Sequence, residues 1–301
     1  MTIEEIKKVC FVGAGTMGCF NSMVTGIAGY DAVVYDVSPE ALKHAPERQR
    51  EIGAHLIETG VLTQDVIDAG LTHITFTEDP KEAVEEADLL SESVFERLEL
   101  KRETHKQFDE ICPPRMIQTT NTSSLLVSDI ESAVKRGDRF AALHFHLMAS
   151  FVDIAGGPRT SPETIDILKR FARSLGQTPI VLKKEKAGYL HNTMLGAFLN
   201  SALMLVIDDY ADIRDVDRSW MLAHQGQAGP FVMIDGIGLN VLYDAAMEGA
   251  KDAVFGEAAQ KVVDFMRPYI ERGDLGAKTG KGFYTYPDPE WQKPEFLSGE
   301  E

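Results

Sequence analysis

The chain has 301 residues, enough for one large or two medium domains with ample core. It carries 47 acidic against 30 basic side chains, a formal charge of −17. That balance argues against nucleic acid or an anionic membrane as partner, since both need clustered Lys and Arg.

The first residues, Met1 to Ile6, lack the basic and apolar regions of a secretory leader. The longest mostly apolar stretch, Met194 to Ile207, is interrupted by Asn200 and Ser201 and is too short for a bilayer. A soluble, cytoplasmic protein is expected. Three cysteines, Cys10, Cys19 and Cys112, show no metal-ligand spacing. Their odd number suits a reducing compartment, and each reads as a small core hydrophobe.

Val9-Cys10-Phe11-Val12 reads as a buried strand and Phe20 to Ala28 as helix. Between them stands Gly13-Ala14-Gly15-Thr16-Met17-Gly18, a G-x-G-x-x-G turn in the strand-turn-helix context that a dinucleotide fingerprint needs. Gly13 permits the tight turn, Gly15 lets backbone approach a pyrophosphate, and Gly18 lets helix and strand pack closely. The helix N-terminus then offers unpaired N–H groups to the phosphates. A second apolar run, Ala32-Val33-Val34-Tyr35, ends in Asp36, eighteen residues past Gly18. A carboxylate there accepts hydrogen bonds from ribose hydroxyls and repels a 2′-phosphate, so NAD is expected rather than NADP.

Further strands are expected at residues 73–76, 88–91, 116–119, 140–145, 151–154 and 180–182, with helices at 39–58, 97–110 and 161–175 between them. This alternation implies an α/β fold with a Rossmann-type doubly wound sheet over residues 1–186. From Gly188 to Arg267 the spacing turns helical, with breaks expected at Gly226–Pro230 and at Asp235-Gly236. An all-α domain over 187–301 is the expectation. Its apolar helices need a surface to bury against, so a homodimer through this half is expected. Asp288 to Glu301, polar and Pro-rich, is expected to fray.

Asn121-Thr122-Ser123-Ser124 follows a strand, where open α/β sheets bind ligands. Alone, such a run reads more readily as a turn capping the next helix. His144 ends another strand, and Asp153 lies nine residues on, in the following strand. If those strands pair, the carboxylate fixes the imidazole tautomer and makes a general base for a hydroxyl proton. Beside a nicotinamide, that is alcohol dehydrogenase chemistry. His146 shares the strand face if the strand continues, yet no third ligand stands at useful spacing, so no metal is expected.

With these residues in place, the chain resembles the L-3-hydroxyacyl-CoA dehydrogenases throughout its length. The matching runs are Val12–Gly18, Asn121–Leu125, Arg139–Phe145, Gly188–Asn192, Gly229–Phe231 and Lys278–Tyr284. The resemblance implies that His144 is the general acid/base supported by Asp153, and that Ser123 and Asn192 hydrogen-bond the substrate oxygen. It implies cofactor contacts at Glu96, Lys101, Asn121 and Lys278, besides the glycine turn and Asp36. A small-molecule substrate, an acyl-CoA or a hydroxy acid, follows from the same resemblance.

The chain departs from the family where an acyl group would lie. The family follows its His with Phe-Phe-Asn-Pro and reaches a Glu twelve residues after that His. Here Phe145-His146-Leu147-Met148-Ala149-Ser150 leads to Asp153, three residues sooner. Thr193 stands where relatives carry Arg, and Ala187 where they carry Pro. Lys43, His44, Arg48 and Arg50 suit CoA phosphates without demanding them, and each also reads as a solvated helix face. The leading expectation is hydride transfer between NAD and C3 of a short 3-hydroxyacyl-CoA. A rival is the same chemistry on a non-CoA 3-hydroxy acid such as gulonate or carnitine, and a remote one is NAD binding without catalysis.

Overall fold

A computed structural model describes residues 2–226, 228–251 and 256–299. Contacts divide the chain into two compact units that meet in sequence between Tyr189 and Leu190.

The first unit holds eight strands: β1 (Lys8–Val12), β2 (Asp31–Tyr35), β3 (Ile74–Thr77), β4 (Leu89–Glu92), β5 (Ile117–Thr120), β6 (Phe140–Phe145), β7 (Phe151–Gly156) and β8 (Thr178–Val181). Its helices are α1 (Thr16–Ile27), α2 (Pro39–Glu58), α3 (Gln64–Leu71), α4 (Pro80–Val84), α5 (Leu98–Ile111), α6 (Val127–Ile130) and α7 (Pro162–Ser174). The strands form one sheet in the order β3-β2-β1-β4-β5-β6-β7-β8. Strand order reverses between β1 and β4, so the switch point that hosts ligands in open α/β sheets lies beside the glycine turn.

Successive β1 residues point to opposite faces, and both faces are covered. Val9 and Phe11 join α1 and α7 in one core, while Cys10 and Val12 pack with Leu90 and Phe108 in another. Two covered faces explain why the strands read as unbroken apolar runs. The expected alternation of parallel strands fails at one place, because β7 runs antiparallel to β6. The connection, residues 146–150, is far too short for a parallel crossover and makes a hairpin, with Met148 at φ 61°. Two differences concern helices. α1 starts at Thr16, within the glycine turn, and α3 was not foreseen.

The second unit is all helical: α8 (His191–Ile207), α9 (Ile213–His224), α10 (Pro230–Ile237), α11 (Leu239–Gly249), α12 (Gly256–Arg272) and α13 (Pro294–Ser298). Leu199, Leu203, Phe231, Ile234, Val262 and Met266 build its core. The expected break at Asp235-Gly236 falls instead at Gly238, whose φ of 106° suits glycine and ends α10. The tail expected to fray instead forms a 3-10 turn at Glu290–Gln292 and then α13, which buries Phe296; residues 300 and 301 lie outside the described residues. No helix among the described residues is long and apolar enough to cross a membrane.

Buried Asp217 of α9 caps α10, accepting from the Phe231 and Val232 N–H groups at 2.7 and 3.2 Å and from the Tyr284 hydroxyl at 2.7 Å. Asp217→Ala strands those donors and is expected to cost about 2–3 kcal/mol in denaturant unfolding. A loss below roughly 0.5 kcal/mol contradicts the capping role.

Candidate active site

The carboxyl ends of β1, β4, β5 and β6 lie along one edge of the sheet, since these strands are parallel. A cleft of about 620 Å³ opens beside β1 and β2, lined by Gly13 to Met17, Asp36, Arg48 and Phe95 among others. Gly13 adopts φ +109°, and a Cβ there would sit 2.8 Å from the Ser93 carbonyl oxygen. A Cβ on Gly18 would lie 1.8 Å from the Gly13 carbonyl oxygen, so only glycine lets α1 pack on its own turn. Around Gly15 the space is open. Gly15 caps α1 without a side-chain bond, which leaves first-turn N–H groups for an anion.

Asp36 directly follows β2, with Oδ2 accepting from the Ala14 N–H at 2.7 Å and Oδ1 from the Ser38 N–H at 2.9 Å. A turn that accepts a pyrophosphate beside a carboxylate suits a dinucleotide with a free ribose 2′-hydroxyl. The Michaelis constant for NAD is expected to be well below that for NADP, and the reverse order overturns the role of Asp36. Arg48 donates to the Ala14 carbonyl at 2.6 Å and lines this cleft. His44 sits between Glu40 and Glu47 on the surface of α2. Of the four basic groups considered for CoA, one therefore faces the dinucleotide cleft and one is engaged by acids.

Farther along the edge, Ser123 Oγ lies 3.0 Å from His144 Nε2. His144 is 4% exposed and sits directly opposite Asp153 in the β6–β7 register. The expected strand pairing is present, but Nδ1 reaches Asp153 Oδ2 only at 3.4 Å, long for such a bond. The same oxygen lies 2.7 Å from His146 Nε2. Asp153 thus serves two imidazoles and holds the second more closely. Burial would raise its carboxyl, yet hydrogen bonds from His144 and His146 hold it below the ordinary carboxylate range. Burial pushes His144 below its usual value, against the opposing pull of Asp153.

The expectation of no metal rested on the want of a third ligand near His144 and His146. Strand pairing supplies one: donor atoms of His144, His146 and Asp153 all lie within 4.8 Å of one another.

The remaining expected cofactor residues do not line the cleft. Glu96 accepts from the Thr122 hydroxyl at 2.5 Å, the Ser123 and Ser124 N–H groups at 2.8 and 2.7 Å, and the Ser124 hydroxyl at 2.9 Å. It clamps the loop that carries Ser123. Lys101, expected to touch the cofactor, is 1% exposed, its ammonium 2.7 Å from Glu92 and 3.3 Å from Glu96. Asn121 is buried as well. Its Oδ1 accepts from the Phe145 N–H at 2.8 Å and so ties the ends of β5 and β6 together. Asn192 is half-buried in the first turn of α8, and Lys278 is exposed in the 3-10 turn Ala277–Thr279.

Two contributors gave no functional signal in the sequence. Tyr189 stacks on the His144 ring with centroids 4.7 Å apart, and its hydroxyl donates to the Thr122 carbonyl at 2.9 Å. Glu92 is buried under Lys101, His105 and Thr120, and His105 and Lys101 overcome burial to hold its carboxyl at about 2. A glutamate inside an apolar strand was the available clue, since a buried carboxylate needs a partner.

Residues 8–186 match the family model of the 3-hydroxyacyl-CoA dehydrogenase NAD binding domain, and residues 188–286 match that of the C-terminal domain. A probable 3-hydroxybutyryl-CoA dehydrogenase of Bacillus subtilis (strain 168) is 30% identical over 287 residues, covering 94% of this chain and 99% of that one. Among solved structures, a diketoreductase acting on dicarbonyl compounds aligns with a TM-score of 0.85 and 33% identity, covering 93% and 99% of the two chains. The (S)-3-hydroxybutyryl-CoA dehydrogenase of Ralstonia eutropha aligns with a TM-score of 0.80 and 27% identity, covering 94% and 100%.

Proposed function

The chain belongs to the 3-hydroxyacyl-CoA dehydrogenase family as an NAD-dependent oxidoreductase, and from that premise we propose that its substrate is a short-chain L-3-hydroxyacyl-CoA oxidised at C3. The observation that carries this reading is the run Ser123–His144–Asp153, with exposed Ser123 leading to buried His144 and Asp153, at the carboxyl edge of a sheet whose glycine turn suits NAD. When bound, NAD supplies the acceptor, or as NADH the donor, of the hydride.

In the oxidation direction, His144 with its proton on Nδ1 toward Asp153 keeps a lone pair on Nε2. That nitrogen takes the hydroxyl proton of the substrate. Asp153 then steadies the imidazolium, and Ser123 hydrogen-bonds the oxygen as charge gathers on it. Asn192 is proposed as a second donor to that oxygen. Glu96 and Lys101 would serve the cofactor edge by fixing the Ser123 loop, and Asn121 by fixing the ends of β5 and β6. Lys278, exposed on its turn, is proposed as a cofactor residue on the family resemblance alone. Residues 1–186 are proposed as the NAD-binding unit and 187–301 as the helical substrate and dimerisation unit.

Asp153→Asn is expected to lower kcat more than it raises KM, as loss of a transition-state interaction does. An unchanged kcat means that another group supports the imidazole. Because oxidation needs neutral His144, its kcat/KM should fall with acid through a value below 6.5. Reduction needs the imidazolium, so its rate should fall as pH rises through the same value. A pH profile with both limbs above 6.5 contradicts this.

The shortened 146–150 hairpin and the likeness to a diketoreductase favour a second reading, the same chemistry on a free 3-oxo or 3-hydroxy acid. Turnover of acetoacetyl-CoA with NADH, set against free diketo and 3-oxo acids, tests the choice. Turnover of the free acids alone favours the second reading.

For the second unit we propose a homodimer interface, because Met194, Leu222 and Val241 are at least half exposed. Light scattering of the purified protein should give twice the 33.3 kDa chain mass, and a monomer at micromolar concentration overturns it.

A further inference from the structure

We propose that His144, His146 and Asp153 form a binding site for one divalent transition-metal ion of the zinc class, and that its occupancy switches catalysis off. Three observations carry the site. His144 lies near the end of β6 and His146 two residues on, a spacing that puts both rings on one side of an extended chain. Antiparallel pairing sets Asp153 opposite His144, which brings the three donor atoms within 4.8 Å of one another. Asp153 is fully buried, and its Oδ1 has no hydrogen-bond partner. A buried carboxylate with an open oxygen, facing two rings that are uncharged when neutral, is a place where a cation gains most.

The donor set selects the ion. Two imidazoles and one carboxylate suit zinc, cobalt, nickel or copper and not calcium or magnesium, which want oxygen ligands. Tetrahedral zinc with bonds of about 2.0–2.1 Å sets its ligands roughly 3.3 Å apart. Asp153 Oδ2 lies 3.4 Å from His144 Nδ1 and 2.7 Å from His146 Nε2, so one contact already fits and the other opens by roughly 0.6 Å to reach the tetrahedral spacing. His146 touches the edge of the site at the hairpin and is partly exposed, which gives the ion a way in.

The inhibitory consequence rests on the reading of His144 as general base. The ion takes the Nδ1 lone pair of His144, so the ring proton moves to Nε2. His146 likewise shifts its proton to its other nitrogen, and no net proton is lost from rings that began neutral. With Nε2 protonated and the ring uncharged, no lone pair remains for the substrate hydroxyl. The ion therefore blocks the base without touching the dinucleotide cleft.

Zinc is titrated into the protein against a chromophoric chelator, and cobalt binding is followed by its visible absorption. One ion per chain is expected. His146→Phe, which keeps an aromatic ring beside Phe151, should weaken binding at least about tenfold while NAD still binds and so reports an intact fold. Anomalous scattering from zinc-soaked crystals of the unaltered protein should place the ion between the three side chains. An absent ion, an ion elsewhere, or affinity unchanged by His146→Phe overturns the site. Zinc should also stop NAD-dependent turnover, with recovery on adding a chelator. An ion that sits at these three residues while turnover continues leaves the site standing and removes His144 as the base.

Discussion

Replacing His144 by alanine is expected to lower kcat by about 10²–10⁴, with KM for NAD little changed, as removal of a positioned general acid/base does. The imidazole is buried and stacked on Tyr189, and it meets Ser123 through one nitrogen and Asp153 through the other. Each contact constrains the ring, so its loss removes a group held in place rather than one that drifts. The cleft with Gly13 to Met17 and Asp36 is untouched by the change, which is why dinucleotide binding should persist. Steady-state kinetics with calorimetric NAD binding check both halves. Turnover within about tenfold of the parent chain contradicts the assignment, because a misplaced base costs more than that.

The second large effect is on stability. Lys101→Met is expected to destabilise the first unit by about 3–5 kcal/mol, because it leaves Glu92 charged and buried without its ammonium. Glu92 is fully buried and its carboxyl is held at about 2, against an ordinary 4.5. A depressed carboxyl contributes stability above its unfolded value. That contribution is present above about pH 4.5 and is lost as pH falls toward 2. Adding Glu92→Gln should recover most of the loss, since replacing both partners of a buried pair costs far less than removing one. Thermal unfolding of the two single variants and the double one checks this. A Lys101→Met loss below roughly 1 kcal/mol contradicts the account.

How much of this was legible depended on whether residues near in sequence settle the question. Gly13 to Gly18 and Asp36 needed only the strand-turn-helix order, and Gly13 to Met17 line one cleft with Asp36 while Gly18 packs against the turn. The meeting of His144 with Asp153 was readable because a five-residue link leaves two strands no choice but a hairpin. Local pattern says nothing about partners that the sheet brings from far away. Glu96 clamps the Ser123 loop across 27 residues, and the Tyr189 hydroxyl reaches Thr122 across 67. Lys101 read as a surface cation on a helix, and only the apolar surroundings of Glu92 explain why it is drawn inside. The third donor beside the two histidines comes from strand register, which sets Asp153 opposite His144 and which spacing along the chain does not show.

One isotope experiment tests the central claim most directly. Acetoacetyl-CoA, and in parallel free 3-oxo acids, are turned over with NADH carrying deuterium at both nicotinamide C4 positions, and the products are read by mass spectrometry. The account predicts one deuterium at C3 of the hydroxy product for each NADH consumed, with His144→Ala slowing its appearance. NADH that binds yet delivers no deuterium to C3 of any of these substrates would contradict it.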